Sequence, residues 1–262
     1  MKRPQIMGIL NVTPDSFSDG GAFNAPDHAL EQARLMEEER ADILDIGAES
    51  TRPGHEAVSV EEECARLGPI FDALAGNVSI PISIDTYKAE TAKFALGRGA
   101  KIINDVWGLQ RDLNLANVAA DHECDVVIMH NRFDGIDGTI DIMSDMERWF
   151  AHSLELARKA GIKEERIVLD PGIGFGKDFD QNIKVLANLD HVKRYGFPVL
   201  MGLSRKRFLG AILNAEVDER LFGTLSANLL SIYEGISIIR VHDVKPHREA
   251  IDVFMQIDAA RG

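Results

Sequence analysis

A chain of 262 residues, 45% of them apolar, has the length and composition for one large domain or two small ones around a sizeable core. Its 42 Asp and Glu against 29 Lys and Arg leave a net charge of -13, which argues against general affinity for nucleic acid or an anionic membrane, so any anionic ligand has to be captured by local groups. No run approaches the ~20 apolar residues of a membrane helix, the basic start Met1-Lys2-Arg3-Pro4 leads into too short an apolar run for a signal peptide, and Cys64 and Cys124 form no C-x-x-C pair, so reduced thiols in a cytoplasmic protein are expected.

In chain order, short runs rich in Ile, Val and Leu predict strands at 6–10, 43–46, 80–84, 101–103, 126–129, 167–169, 199–201 and 236–241. Their near-continuous apolar content suits a parallel sheet covered on both faces. Helical periodicity fills the gaps at 29–39, 61–74, 89–96, 113–120, 145–160, 182–189, 221–233 and 248–260. Ser59 stands in capping-box register with Glu62, and Gly161 is placed to end its helix. Eight strands alternating with eight helices predict a single (β/α)8 TIM barrel domain over 1–262. A doubly wound open sheet is the alternative, but the first turn, Asn11-Val12-Thr13-Pro14-Asp15, is not a G-x-G-x-x-G loop.

A barrel gathers its chemistry at the C-terminal ends of its strands, and every predicted exit here is polar. In order they are Asn11, then Glu49-Ser50-Thr51-Arg52-Pro53-Gly54, Asp85-Thr86, Asn104-Asp105, His130-Asn131-Arg132, 170–177, Ser204-Arg205-Lys206 and Arg240-Val241-His242-Asp243. The stretch Gly202-Leu203-Ser204-Arg205-Lys206-Arg207 is the most distinctive. It places a hydroxyl and cations where a buried strand gives way to a helix, a ready site for a phosphate or pyrophosphate. Plainer readings stand beside these: Asp105 and Asp243 as helix caps or Asx turns, and His130 as a packing histidine.

Two kinds of chemistry are represented. Asp85, Asn104 and Asp170 offer acceptors for the donor edge of a flat, nitrogen-rich ring, because a carboxylate takes two N–H groups in a bidentate pair, and Lys206 could reach a ring carbonyl. Asn11, Thr51, Arg52, Ser204, Arg240 and His242 are donors and cations suited to a pyrophosphate, and Asn11 also suits the shell of a magnesium ion bridging that group.

Together the segments 8–21, 49–54, 83–86, 102–105, 169–177, 204–206 and 240–243 closely resemble the dihydropteroate synthase family of pterin-binding enzymes, the folate-pathway enzymes that sulfonamides inhibit. The resemblance runs from residue 6 to about 255. It implies transfer of a pterin-methyl group from its pyrophosphate ester to p-aminobenzoate, by an SN1-like path that uses magnesium and no covalent enzyme intermediate. It also implies site residues. Asp85, Asn104, Met129, Asp170, Gly202 and Lys206 would hold the pterin. Asn11, Thr51, Arg52, Ser204, Arg240 and His242 would hold the pyrophosphate, with Asn11 toward the metal. Phe17, Pro53, Phe175 and Lys206 would face p-aminobenzoate, and Asp19, Arg52, Lys206 and Arg240 would be catalytic.

The same resemblance implies a homodimer through late helices, with Leu229, Ile232 and Tyr233 as contributors. The chain departs from the family pattern at Arg40 and Ala48, where Gly is usual, and at Tyr87, Asn131-Arg132 and Arg207. The competing functional readings are a folate-dependent methyltransferase barrel, a Schiff-base lyase using Lys206, and a non-catalytic pterin-binding protein.

Overall fold

The computed structural model describes residues 2–12, 25–49 and 58–261. The chain begins with β1 (Gln5–Asn11) and α1 (Ala25–Glu38), followed by β2 (Ile43–Gly47) and α2 (Val60–Leu74). Next come β3 (Ile82–Asp85), α3 (Ala89–Leu96), β4 (Ile102–Asp105), α4 (Asn114–Asp121), β5 (Asp125–Met129) and α5 (Ile142–Ala160). The second half holds β6 (Ile167–Asp170), α6 (Phe179–Leu186), α7 (Asp190–Lys193), β7 (Leu200–Met201), α8 (Arg207–Leu213), α9 (Leu221–Tyr233), β8 (Ile238–Val241) and α10 (Val244–Ala259). All eight predicted strands are present. α7 and α8 go beyond the eight predicted helices, because four and seven residues are too few to display a helical period.

The strands form one parallel sheet in the order β6-β5-β4-β3-β2-β1-β8-β7. Between the two ends of that order, Leu169 N–H donates to Pro198 O at 2.9 Å, and a single bridge pairs Leu169 with Val199. This contact closes the sheet into the expected (β/α)8 barrel. Residues on the outward rows, such as Leu44, Ile84, Ile103 and Val126, pack against the helices in the main core. Each such fully buried aliphatic side chain stabilises the fold by about 1.5–3 kcal/mol.

The inward rows change character along the barrel axis. Met7, Ile43, Ile102, Val127, Leu200 and Ile238 make a second apolar cluster, the floor of the barrel interior. Side chains two positions apart share a strand face. The next inward residues are therefore Asp45 after Ile43, Asn104 after Ile102, Met129 after Val127, Gly202 after Leu200 and Arg240 after Ile238. Apolar residues fill the N-terminal half of the barrel, and Asp45, Asn104 and Arg240 bring polar groups into its C-terminal half.

Local signals read from the chain hold with one change. The Ser59 hydroxyl accepts from Glu62 N–H at 3.2 Å, but the Glu62 carboxylate turns to Arg66, leaving half a capping box. Gly161 ends α5 in the left-handed region, φ 88°. Cys64 is half-buried, Cys124 is buried, and both are free thiols. No described helix is long and apolar enough to cross a membrane.

Candidate active site

The centre of the site is a half-buried guanidinium held between two buried carboxylates. Arg240 on β8 donates from Nε to Asp45 Oδ2 at 2.6 Å and from Nη2 to Asp85 Oδ2 at 2.7 Å. Asn104 Nδ2 donates to the same Asp45 oxygen at 3.1 Å. Asp45 is fully buried and was not among the residues expected from the sequence. The signal for it was there: a charged residue inside the apolar run Ile43-Leu44-Asp45-Ile46, on the inward parity. Arg240, grouped with the pyrophosphate residues on sequence grounds, thus also pairs with two acids at the floor of the site.

Burial lifts the Asp85 carboxyl to about 7, even with the Arg240 charge working to lower it. Burial also opposes the charge on Arg240, but Asp45 and Asp85 more than restore it and raise its pKa. Asp85 Oδ1 and Asp45 Oδ1 are buried and accept no hydrogen bond from the described residues. A buried acceptor without a donor is costly, so this floor favours a ligand that brings N–H groups.

Asp170 at the end of β6 faces the same space. Its Oδ1 accepts from Gly172 N–H at 2.7 Å. Burial raises its pKa, against that hydrogen bond and the charges of Lys206, Lys177 and Arg240. Burial pulls the Lys206 ammonium down to about 8, while Asp170 and Asp85 favour its charged form. Lys206 Nζ lies 4.1 Å from the centre of the Phe175 ring, a cation–π contact. Met129 is buried at the end of β5, and Gly202 leaves the space above Leu200 open toward Asp170 Oδ2. Asp85, Asn104, Met129, Asp170, Phe175, Gly202, Lys206 and Arg240 therefore gather at the strand exits. A surface cleft between α6–α7 and α9, lined by residues such as His191, Arg194 and Glu234, contains none of them.

The outer residues behave less uniformly. The Ser204 hydroxyl is engaged by His242, 2.9 Å from Nδ1 and 3.2 Å from the backbone N–H. Burial lowers the His242 pKa to about 4, so the ring acts as a neutral hydrogen-bonding group and not as the cation its grouping suggested. Arg205 turns away from the site and pairs with Asp243, at 3.2 and 2.7 Å, tying the β7 exit to the β8 exit. Its backbone is left-handed, φ 59°. α8 spans only seven residues, so its dipole adds at most about 0.3–1 kcal/mol toward an anion, and side chains must supply most of the charge.

Asn11 is exposed at the end of β1. Magnesium binds through one or two protein oxygens together with waters and substrate phosphates. Among the described residues no cluster of three or more His, Cys, Asp or Glu side chains could hold a metal. The Asn11 amide oxygen is one protein oxygen that such an ion could use. Phe17, Asp19, Thr51, Arg52 and Pro53 lie outside the described residues.

The plainer readings divide. Asp105 is a turn-forming acid, accepting from Trp107 N–H at 2.8 Å and Leu109 N–H at 2.6 Å. Asp243 sits at the start of α10 but makes no side-chain cap bond, because its carboxylate is taken by Arg205. His130 is a packing histidine, fully buried with Trp149 and Phe150 against its ring.

Among the departures, Tyr87 points to Glu49, with its OH 3.2 Å from Oε1, and leaves the pocket floor clear. Asn131 Nδ2 donates to Val106 O at 3.0 Å, joining neighbouring exits. Ala48 is buried, its carbonyl accepting from Arg66 at 2.8 Å, and Arg207 is exposed at the start of α8. Arg40 occupies the left-handed region, φ 69°, which explains why a glycine suits that turn.

A parallel barrel with acids, an amide and paired cations at one mouth defines a binder or transformer of a flat, donor-edged anion. Residues 7–242 match the pterin binding enzyme family. The dihydropteroate synthase of Clostridium beijerinckii is 46% identical over 252 residues, covering 95% of this chain and 92% of that protein. The crystal structure of dihydropteroate synthase from Clostridium difficile in the presence of pteroic acid superimposes with a TM-score of 0.94 at 50% identity, covering 98% of this chain and 97% of the other. The Xanthomonas albilineans dihydropteroate synthase with 4-aminobenzoic acid gives 0.94 at 40% identity, covering 98% and 94%. The chain belongs to the pterin-binding enzyme family, among the dihydropteroate synthases.

Proposed function

We propose that one barrel domain, residues 1–262, condenses 6-hydroxymethyl-7,8-dihydropterin pyrophosphate with p-aminobenzoate to give 7,8-dihydropteroate and pyrophosphate, a transferase step of folate biosynthesis. The observation that carries this reading is the buried, donor-less Asp85 Oδ1 beside Asn104 and Asp170, an acceptor floor for the amino and ring N–H groups of a pterin. Asp85, Asn104 and Asp170 bind the ring edge, Lys206 donates to its carbonyl, and Met129 and Gly202 lie against its face. Held this way, the ring releases electron density as the C–O bond to the diphosphate breaks. The arylamine nitrogen then attacks the cationic methylene and loses its proton.

Arg240, Arg52, Thr51, Ser204, His242 and Asn11 bind the departing pyrophosphate. Asn11 would hold a magnesium ion, which would supply charge neutralisation to that group. Phe17, Pro53, Phe175 and Lys206 hold p-aminobenzoate, and Asp19 counters the cationic intermediate. Orienting the arylamine in line lowers the barrier by up to ~7–11 kcal/mol. Lys206 acts as a binder, and no covalent adduct with it is required.

The protein acts in the cytoplasm as a homodimer. The exposed apolar residues Phe222, Leu230 and Tyr233 of α9 with Val253 and Ile257 of α10 support a self-association face. Ile232, named from the sequence, is buried within its own subunit and takes no part in that face. The test is to mix both substrates with magnesium and follow pyrophosphate and dihydropteroate together. Equimolar appearance supports the reading. Pterin binding without pyrophosphate release leaves a methyltransferase or a simple binding protein in its place.

A further inference from the structure

The chemistry above makes no use of Lys177, yet this lysine is buried and every proton on its ammonium has an acceptor. Nζ lies 2.9 Å from Gly172 O, 3.1 Å from Phe175 O and 2.7 Å from His130 Nδ1. On the far side of the imidazole, His130 Nε2 lies 3.4 Å from Asp145 Oδ2 on α5. Burial, together with the Lys177 charge, lowers the His130 pKa to about 3, so the ring is neutral and carries the hydrogen-bonded path between a cation and a carboxylate.

The loop that Lys177 grips is the exit of β6. Gly172, Gly174 and Gly176 are all left-handed there, and a Cβ on Gly172 would collide with the His130 carbonyl. Such a backbone has little rigidity of its own and depends on ties from outside. Gly172 N–H holds Asp170, and the Phe175 ring carries Lys206. Both ends of the loop therefore touch side chains of the pocket.

We propose that Lys177 is a positioning residue for the transfer reaction: its three-donor ammonium fixes the Gly172 and Phe175 carbonyls, and thereby the wall formed by Phe175 and Lys206 against which the arylamine is held. The proposal rests on the p-aminobenzoate role given to Phe175 above. A lysine is required because no other side chain offers three donors at one atom. A mere fold tie would affect stability and leave the selectivity of binding alone.

The charged groups facing Lys177 are Asp170 on β6 and Asp145 on α5, which favour its ammonium form, and Lys206 and Arg132, which oppose it. Burial is the largest influence and brings it to about 7. Above that pH the amine has one donor fewer and the wall loosens, so the KM for p-aminobenzoate should rise with pH. Removing the Asp145 charge lowers the titration point and moves that rise to lower pH.

The experiment is steady-state turnover of the full chain at saturating pterin pyrophosphate and magnesium, with calorimetric pterin binding, for wild type, Lys177→Met and Asp145→Asn. Lys177→Met is expected to raise the KM for p-aminobenzoate about tenfold or more, with a smaller loss of pterin affinity because Asp170 and Lys206 adjoin the same loop. Asp145→Asn is expected to shift the alkaline rise in that KM to lower pH. A folded Lys177→Met enzyme with an unaltered KM overturns the proposal. If that variant does not fold, an unshifted profile in Asp145→Asn overturns it. A wild type that never releases pyrophosphate removes the parent reading and this one with it, whereas an active wild type with unaffected variants removes only this one.

Discussion

Replacing Arg240 with methionine isolates the charge balance at the barrel centre. The substitution keeps most of the side-chain length but leaves the Asp45 and Asp85 carboxylates facing each other without the guanidinium that touches both. Breaking a buried ion pair by removing one partner costs about 3–5 kcal/mol. The pH dependence is the more telling quantity. In the wild type, burial holds the Asp85 carboxyl near 7, so the folded state carries an extra proton below that pH and releases it above. Without Arg240 the Asp85 proton stays bound well above pH 7, while the unfolded carboxyl is fully ionised.

The folded state of the variant then binds one proton more than the unfolded state, and its stability falls by about 1.4 kcal/mol per pH unit as pH rises. The wild type releases its own half-bound proton over the same range, so relative to it the deficit should widen by about 1.6 kcal/mol between pH 7 and 8.5. Urea unfolding followed by circular dichroism at several pH values measures this directly. A deficit that stays constant across that window would refute the reasoning.

Asp85→Asn should weaken pterin binding about 10- to 150-fold, the worth of one charged hydrogen-bonded contact of about 1.5–3 kcal/mol, and calorimetry showing native affinity would remove the ring-reading role. Pterin affinity of the wild type should fall about tenfold per unit as pH drops below about 7, because protonated Asp85 no longer accepts two N–H groups. That dependence should vanish in Asp85→Asn. Arg40→Gly relieves about 1–2 kcal/mol of left-handed strain, against a more flexible unfolded chain and the lost exposed pair with Asp252. Its stability should equal the wild type or exceed it by about 1 kcal/mol, with turnover unchanged, and thermal melts showing a loss instead would contradict the strain argument.

The barrel was legible because strands buried on both faces leave uninterrupted Ile, Val and Leu runs, and because exits such as Asp85, Asn104 and Asp170 stand directly after them. Asp45 is hard to read from the chain because it lies inside such a run, where only the two-residue parity separates it from its neighbours. Helices as short as α7 and α8 show no period of their own. The direction of Arg205 was hidden for another reason. A left-handed backbone at a non-glycine residue sends consecutive side chains of Ser204-Arg205-Lys206 to different partners, and composition carries no trace of that turn. The fates of Tyr87 and Asp243 likewise depended on partners far away in the chain, Glu49 and Arg205.

The hoop of strands is thinnest at its seam, where one bridge joins Leu169 to Val199. Asp170 sits at the tip of one lip of that seam, and Lys206 follows the other. A molecule clasped by both spans the gap like a rivet, so occupancy of the mouth and cohesion of the hoop are parts of a single mechanical system.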